Sequence, residues 1–128
     1  MSDLNAAQNR LVWFDIPVAD LERAAAFYRA VLGIGVHVEK SPGYSLGVLE
    51  HRDGNGGCLV PNAAEISSAA GILVYLNATG RMREAVRQVE LLGGRVVEPP
   101  QSIGEHGFRA IVIDSEGNRI ALHAATDA

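Results

Sequence analysis

The chain has a single cysteine, Cys58, among its 128 residues, and so can form no internal disulfide. That suits a reducing compartment, and one such thiol serves more readily as a small buried hydrophobe than as a reactive nucleophile. No apolar run approaches the roughly 18 residues that a membrane span requires. The opening stretch MSDLNAAQNR lacks the basic-then-apolar layout of a secretory signal. A soluble, cytoplasmic protein without a membrane partner is expected. Basic residues are also scarce: 11 Lys and Arg against 15 Asp and Glu give a net charge of −4, and the arginines are dispersed. Without a basic stripe to neutralise a phosphate backbone, nucleic acid is not an expected partner.

Several catalytic and binding motifs are missing as well. There is no GxSxG elbow for a nucleophilic serine. GNGG at 54–57 lacks the following Lys-Ser/Thr and helix of a phosphate loop, which leaves a tight turn. Asp114 and Glu116 in DSEGN look like a fragment of a calcium loop, but the later acids are absent and turn chemistry explains them better.

What the chain does have is an internal repeat. Sliding it by 60 residues, without a gap, puts Ile16 on Leu76, Arg23 on Arg83, Leu32 on Leu92, Gly33 on Gly93, Val36 on Val96, Gly47 on Gly107 and Gly57 on Gly117. The matches fall on apolar, helix-facing and glycine positions, while Trp13 against Leu73 and Asp15 against Tyr75 differ. A hydrophobic fraction of 48% over this length fits one globular domain, residues 1–128, with module 1 at about 10–62 and module 2 at about 70–124.

Alternation over 11–18 predicts a strand with Val12, Phe14, Ile16 and Val18 toward a helix, and Trp13, Asp15 and Pro17 on the other face. Asp20 is the expected N-cap of a helix carrying Leu21, Ala24, Ala25, Tyr28, Val31 and Leu32 on its apolar side, with Gly33 as its C-cap. Strands follow at 35–40, 44–51 and CLVP. The second half repeats the order: a strand at 71–78, a helix over Met82–Leu92, a short strand Arg95–Glu98 broken by Pro99-Pro100, a rim loop QSIGEH, and a hairpin of 107–114 with 119–123.

This order, WFDIPVADLERAAAFYRAVLG and then GGRVVEPPQSIGEHGFRAIVIDSEGNRIAL, resembles the vicinal-oxygen-chelate superfamily, the glyoxalase/bleomycin-resistance/dioxygenase proteins. The resemblance covers nearly the whole chain. It implies an α+β fold of two βαβββ modules whose curled mixed sheets form a cleft. In the family's enzymes that cleft holds a divalent metal on ligands near the start of each module's first strand and on its last strand. Carried over, the first-strand positions fall on Trp13 and Leu73, the last-strand position of module 2 on Ala121, and its partner between Gly57 and Pro61, where only Cys58 has a ligand atom. Such a metal needs three or four N or O donors at about 2.0 to 2.2 Å. The expectation is therefore no metal and no cofactor.

The same alternation aims Trp13, Asp15, Tyr75, Asn77 and His123 at the cleft, the combination of aromatic wall and few polar groups that a small organic ligand needs. Each has a plainer alternative: core packing for Trp13, an arginine-pinned carboxylate for Asp15, in-sheet hydrogen bonds for Tyr75 and Asn77, a solvated last strand for His123. No catalytic residue is singled out. The expected function is metal-free binding of a small organic molecule by a homodimer. The rivals are a glyoxalase-like lyase or isomerase using Asp15 or His123 as proton carriers or a metal held by atypical ligands, and an interaction protein whose cleft is filled.

Overall fold

The structure is a computed structural model that describes residues 9–128, so the reading of the amino terminus as free of a secretory signal lies largely outside the described residues. Module 1 consists of β1 (Asp15–Val18), α1 (Leu21–Leu32), β2 (Val36–Ser41), β3 (Tyr44–Leu49) and β4 (Cys58–Pro61). Module 2 consists of β5 (Tyr75–Asn77), α2 (Met82–Leu91), β6 (Arg95–Ser102), β7 (Phe108–Ile113) and β8 (Arg119–Ala124). Each forms a mixed four-stranded sheet, in the orders β1-β4-β3-β2 and β5-β8-β7-β6, and the two sheets do not close on one another. The α+β architecture is that expected. Among the described residues no helix is long and apolar enough to cross a membrane.

Helix α1 begins where the Asp20 carboxylate accepts the Arg23 N–H at 3.1 Å, and ends at Gly33, whose φ of +66° is the left-handed conformation that glycine adopts without strain. Arg81, just before α2, donates to the Ala30 and Val31 carbonyls at 2.7 and 3.2 Å, so the end of α1 is capped by the start of α2. Ile16, Val18 and Leu59 of the first sheet, Leu76, Val112 and Leu122 of the second, and Phe27, Val31, Met82 and Val89 of the helices make one shared core. Truncating a large member to alanine costs about 2 to 5 kcal/mol. Gly57 is required by closeness: a Cβ there would lie 2.5 Å from the Phe14 ring.

Two expectations are corrected. β1 and β5 are shorter than the alternation suggested, beginning at Asp15 and Tyr75. β6 is longer, running through Pro99 and Pro100 to Ser102. It is an edge strand, where a residue without an N–H can face outward, and its register shifts between Val96 and Glu98 and between Glu98 and Gln101 absorb the irregularity.

The turn between β7 and β8 fastens module 2 to module 1. Asp114 is buried and accepts the Tyr28 hydroxyl at 2.6 Å, the Asn118 amide side chain at 3.0 Å, and the backbone N–H groups of Glu116 and Asn118. Asn118 also donates to the Pro17 carbonyl at 2.7 Å. The buried Glu116 carboxylate accepts the N–H groups of Ala19 and Asp20 ahead of α1 and is held in a two-pronged contact by Arg23 at 2.7 and 2.9 Å. Burial opposes its ionisation, but Arg23, those backbone donors and Ser115 outweigh it and hold the carboxyl down at about 2.

Candidate functional site

Register defines which residues of the two modules are equivalent. Asp15 pairs with Cys58, and Tyr75 with Ala121, so the first strands are 60 residues apart and the last strands 63. The repeat is therefore not ungapped. Val36 still matches Val96, but their partners Leu49 and Val112 are already 63 apart, which puts three extra residues in the irregular β6 and the 3-10 turn Gly104–His106. Gly47 and Gly57 thus do not correspond to Gly107 and Gly117. Instead DGN at 53–55 corresponds to EGN at 116–118.

With that alignment the clamp turns out to be one-sided. Tyr28 has Gln88 as its equivalent, which bonds Glu84 at 2.9 Å, and Asp114 has His51. Arg83, equivalent to Arg23, reaches the Asp127 carbonyl at 3.1 Å. Asn118 bridges the modules, whereas Asn55 turns its amide N–H to the Leu11 carbonyl and leaves its Oδ1 buried without a partner. At this end, which lacks a counterpart of the Tyr28–Asp114 bond, lies a cavity of about 420 Å³, with Phe14, Leu32, Ile34 and Leu76 as apolar wall and Glu50, His51, Asn55, Tyr75 and Asn77 as polar groups.

The sequence-predicted residues fall into two groups. In module 1 the Trp13 ring meets His51 edge-on, with centroids 5.9 Å apart, and the Cys58 thiol donates to Asp15 Oδ1 at 3.2 Å. Burial chiefly, with the Asp15 carboxylate adding to it and Trp13 opposing, pushes that thiol up to about 11. In module 2 the Tyr75 hydroxyl accepts Arg109 Nη1 at 2.7 Å, and its ring lies 6.5 Å from that of His123. His123 Nε2 donates to the His106 carbonyl at 2.7 Å, and Asn77 Oδ1 accepts the Thr79 N–H at 2.9 Å. His51 links the groups, since it touches Trp13 and lines the cavity with Tyr75 and Asn77. Asp15 and His123 enter separate clusters, and no hydrogen bond joins them among the described residues.

Sequence reasoning missed Arg109 and Asn55. Arg109 pairs with His123 across β7 and β8, and strand alternation from Phe108 could have found it. Asn55 carried a signal only through its alignment with Asn118, which the three-residue offset concealed.

Register also gives the module 1 counterpart of a metal position that the resemblance implies. The counterpart of Ala121 is Cys58, so the set is Trp13, Leu73, Cys58 and Ala121. Three have no donor atom, which leaves the Cys58 sulfur alone where a divalent centre needs three or four donors. No group of three or more His, Cys, Asp or Glu able to hold a metal occurs among the described residues. These residues do not fit the divalent centre.

Paired βαβββ modules around a cavity define a class of fold, and the sequence places the chain within it. The family model of the Glyoxalase/Bleomycin resistance protein/Dioxygenase superfamily matches residues 10–122, and the chain belongs to that superfamily. Among solved structures it is similar to a glyoxalase/bleomycin resistance protein from Albidiferax ferrireducens, at 18% identity, TM-score 0.71, over 91% of this chain and 98% of that one. It is also similar to the fosfomycin resistance protein FosX of Listeria monocytogenes, at 15% identity, TM-score 0.66, over 91% and 93%. A glyoxalase I mutant from Zea mays matches at 23% identity and TM-score 0.69 over 88% of this chain but 45% of that one. These likenesses concern the fold. No curated protein sequence matches the chain.

Proposed function

We propose that the protein binds a small organic molecule in the cavity between Asn55 and Tyr75, and does so without a metal. The observation that carries this is Asn55 Oδ1, a buried acceptor with no partner on a residue that lines a cavity of about 420 Å³. Buried polar atoms are nearly always satisfied, and a ligand donor supplies what the protein does not. The volume lies within the range of small-molecule sites, and the lining pairs apolar walls with a few orienting polar groups. Tyr75 and Asn77 face the ligand directly, Trp13 acts through His51, and His123 lies beside Tyr75, whereas Asp15 belongs to a different cavity. Two structural neighbours bear the names of fosfomycin and bleomycin resistance proteins, which agrees with a fold suited to small organic compounds.

The test uses Trp13, the chain's single tryptophan. A screen of small aromatic and apolar compounds should find one that shifts its emission saturably, and Tyr75→Ala should weaken that compound with little loss of stability. Silence of the fluorescence across the screen, or affinity untouched by Tyr75→Ala, overturns the proposal. We further propose a cytoplasmic homodimer, because the outer strands leave edges that a second copy can cover. Light scattering that gives the mass of one chain at micromolar concentration and above contradicts the dimer.

A further inference from the structure

A second cavity, of about 180 Å³, lies where β1 meets the start of β8 and the linker between the modules. At roughly 30 Å³ per molecule this is room for about six waters. Its charged lining residues are Arg119, Asp15 and Glu65, and Ser67 and Asn118 are its uncharged polar ones.

Arg119 stands out. Its Nε is buried and bonded to nothing, and its guanidinium makes no ion pair among the described residues. A guanidinium without a counter-charge at a partly buried wall is costly, so the group as a whole calls for an acidic partner. Two carboxylates share the cavity yet do not supply it. Asp15 is drawn to the Cys58 thiol through Oδ1, and its other oxygen meets no donor among the described residues. Glu65 accepts the Asn62 side-chain amide at 3.0 Å. Arg119 is fixed by its own N–H, which donates to the Ser67 carbonyl at 3.2 Å. Opposite charges therefore line one small cavity without meeting.

We infer that this cavity binds a small zwitterion of the α-amino-acid class, its carboxylate on Arg119 and its ammonium on Asp15. A plain anion would enter a lining with two carboxylates against one guanidinium, and a plain cation would leave Arg119 unmet. Only a molecule with both charges answers both walls. The Ser67 hydroxyl oxygen already accepts the N–H groups of Ala69 and Ala70, at 3.3 and 3.0 Å, which leaves its proton to donate to the same carboxylate. Ile16, Val74 and Ile120 line the rest and suit a short apolar side chain. This inference is independent of the ligand proposed above, since it rests on a different cavity.

The test is an amide NMR titration of the full chain with glycine and alanine, and with acetate and methylammonium as half-ligands. An amino acid should move the Asp15, Ser67 and Arg119 amides saturably, and acetate or methylammonium alone should bind about tenfold more weakly or worse, the loss of one charged hydrogen-bonding group. Arg119→Gln should abolish amino-acid binding, while Asp15→Asn should weaken the amino acid and spare acetate. The comparison of alanine with acetate needs no variant, so it stands even if a substitution disturbs folding. Absence of saturable shifts with both amino acids, equal affinity for alanine and acetate, or binding that survives Arg119→Gln overturns the inference. The cavity beside Tyr75 is read separately through the Tyr75 and Asn77 amides, so either site can fail alone.

Discussion

The Tyr28 hydroxyl donates to the Asp114 carboxylate at 2.6 Å, joining residues 86 apart in sequence and on different modules, with both side chains buried. Burial first, then the neighbouring Asp114 charge, raises the tyrosine well above its usual range, so it stays a neutral donor. Removing that hydroxyl leaves part of the Asp114 acceptor capacity unmet inside the core. Tyr28→Phe should cost about 1 to 3 kcal/mol in urea unfolding, without change in m. An unchanged midpoint would show that the clamp contributes nothing.

Acid should loosen the same region. The folded Glu116 carboxyl sits at about 2 against an unperturbed value of 4.5, so its contribution to stability is complete above about 4.5 and disappears as the pH falls toward 2. Glu84, lowered to about 2 by Arg87 and Gln88, adds a smaller effect of the same sign at an exposed site. Melting temperatures measured from pH 6 down to 2 should drop, and Glu116→Gln should flatten that dependence while lowering stability at pH 6 by about 2 kcal/mol. A variant whose profile parallels the wild type would place the acid sensitivity elsewhere.

Metal content follows from the donor set. Protein purified without chelator should carry far less than one equivalent of zinc, nickel, manganese or iron, and EDTA should leave its melting temperature unchanged. One equivalent found by elemental analysis and lost together with stability would overturn the metal-free reading.

Packing at the start of β1 gives a fourth outcome. Gly57→Ala forces a methyl against the Phe14 ring and should cost about 1 to 3 kcal/mol by thermal or urea unfolding. Gly43 has open space around its missing Cβ, so Gly43→Ala should change stability by less than about 0.5 kcal/mol. Equal effects at the two positions would contradict the close approach.

The helices, the caps of α1 and the closing hairpin were legible because they depend on neighbours in sequence: Asp20 and Gly33 bracket α1 by local chemistry, and the 3.6-residue pattern selects its buried face. Pro99-Pro100 misled because the tolerance of β6 for proline depends on its place at the sheet's edge, which emerges only from strand order. The repeat was visible, but its three-residue offset was not, since pairing partners fix equivalence in a sheet and identical glycines do not. The charged cavity was illegible for a similar reason. Asp15, Ser67 and Arg119 are scattered along the chain, and only the fold brings them to one wall.

The duplicated fold repeats its elements without repeating its clamp. Where Tyr28, Asp114, Arg23 and Glu116 lock the halves together, a change in any one disturbs the whole molecule. At the matching positions Gln88 bonds Glu84 of its own helix and Asn55 bonds the Leu11 carbonyl, so changes in their size and polarity leave that clamp intact. Clamp and cavity occupy different positions of the repeat, so the cavity's side chains can change without touching Tyr28, Asp114, Arg23 or Glu116.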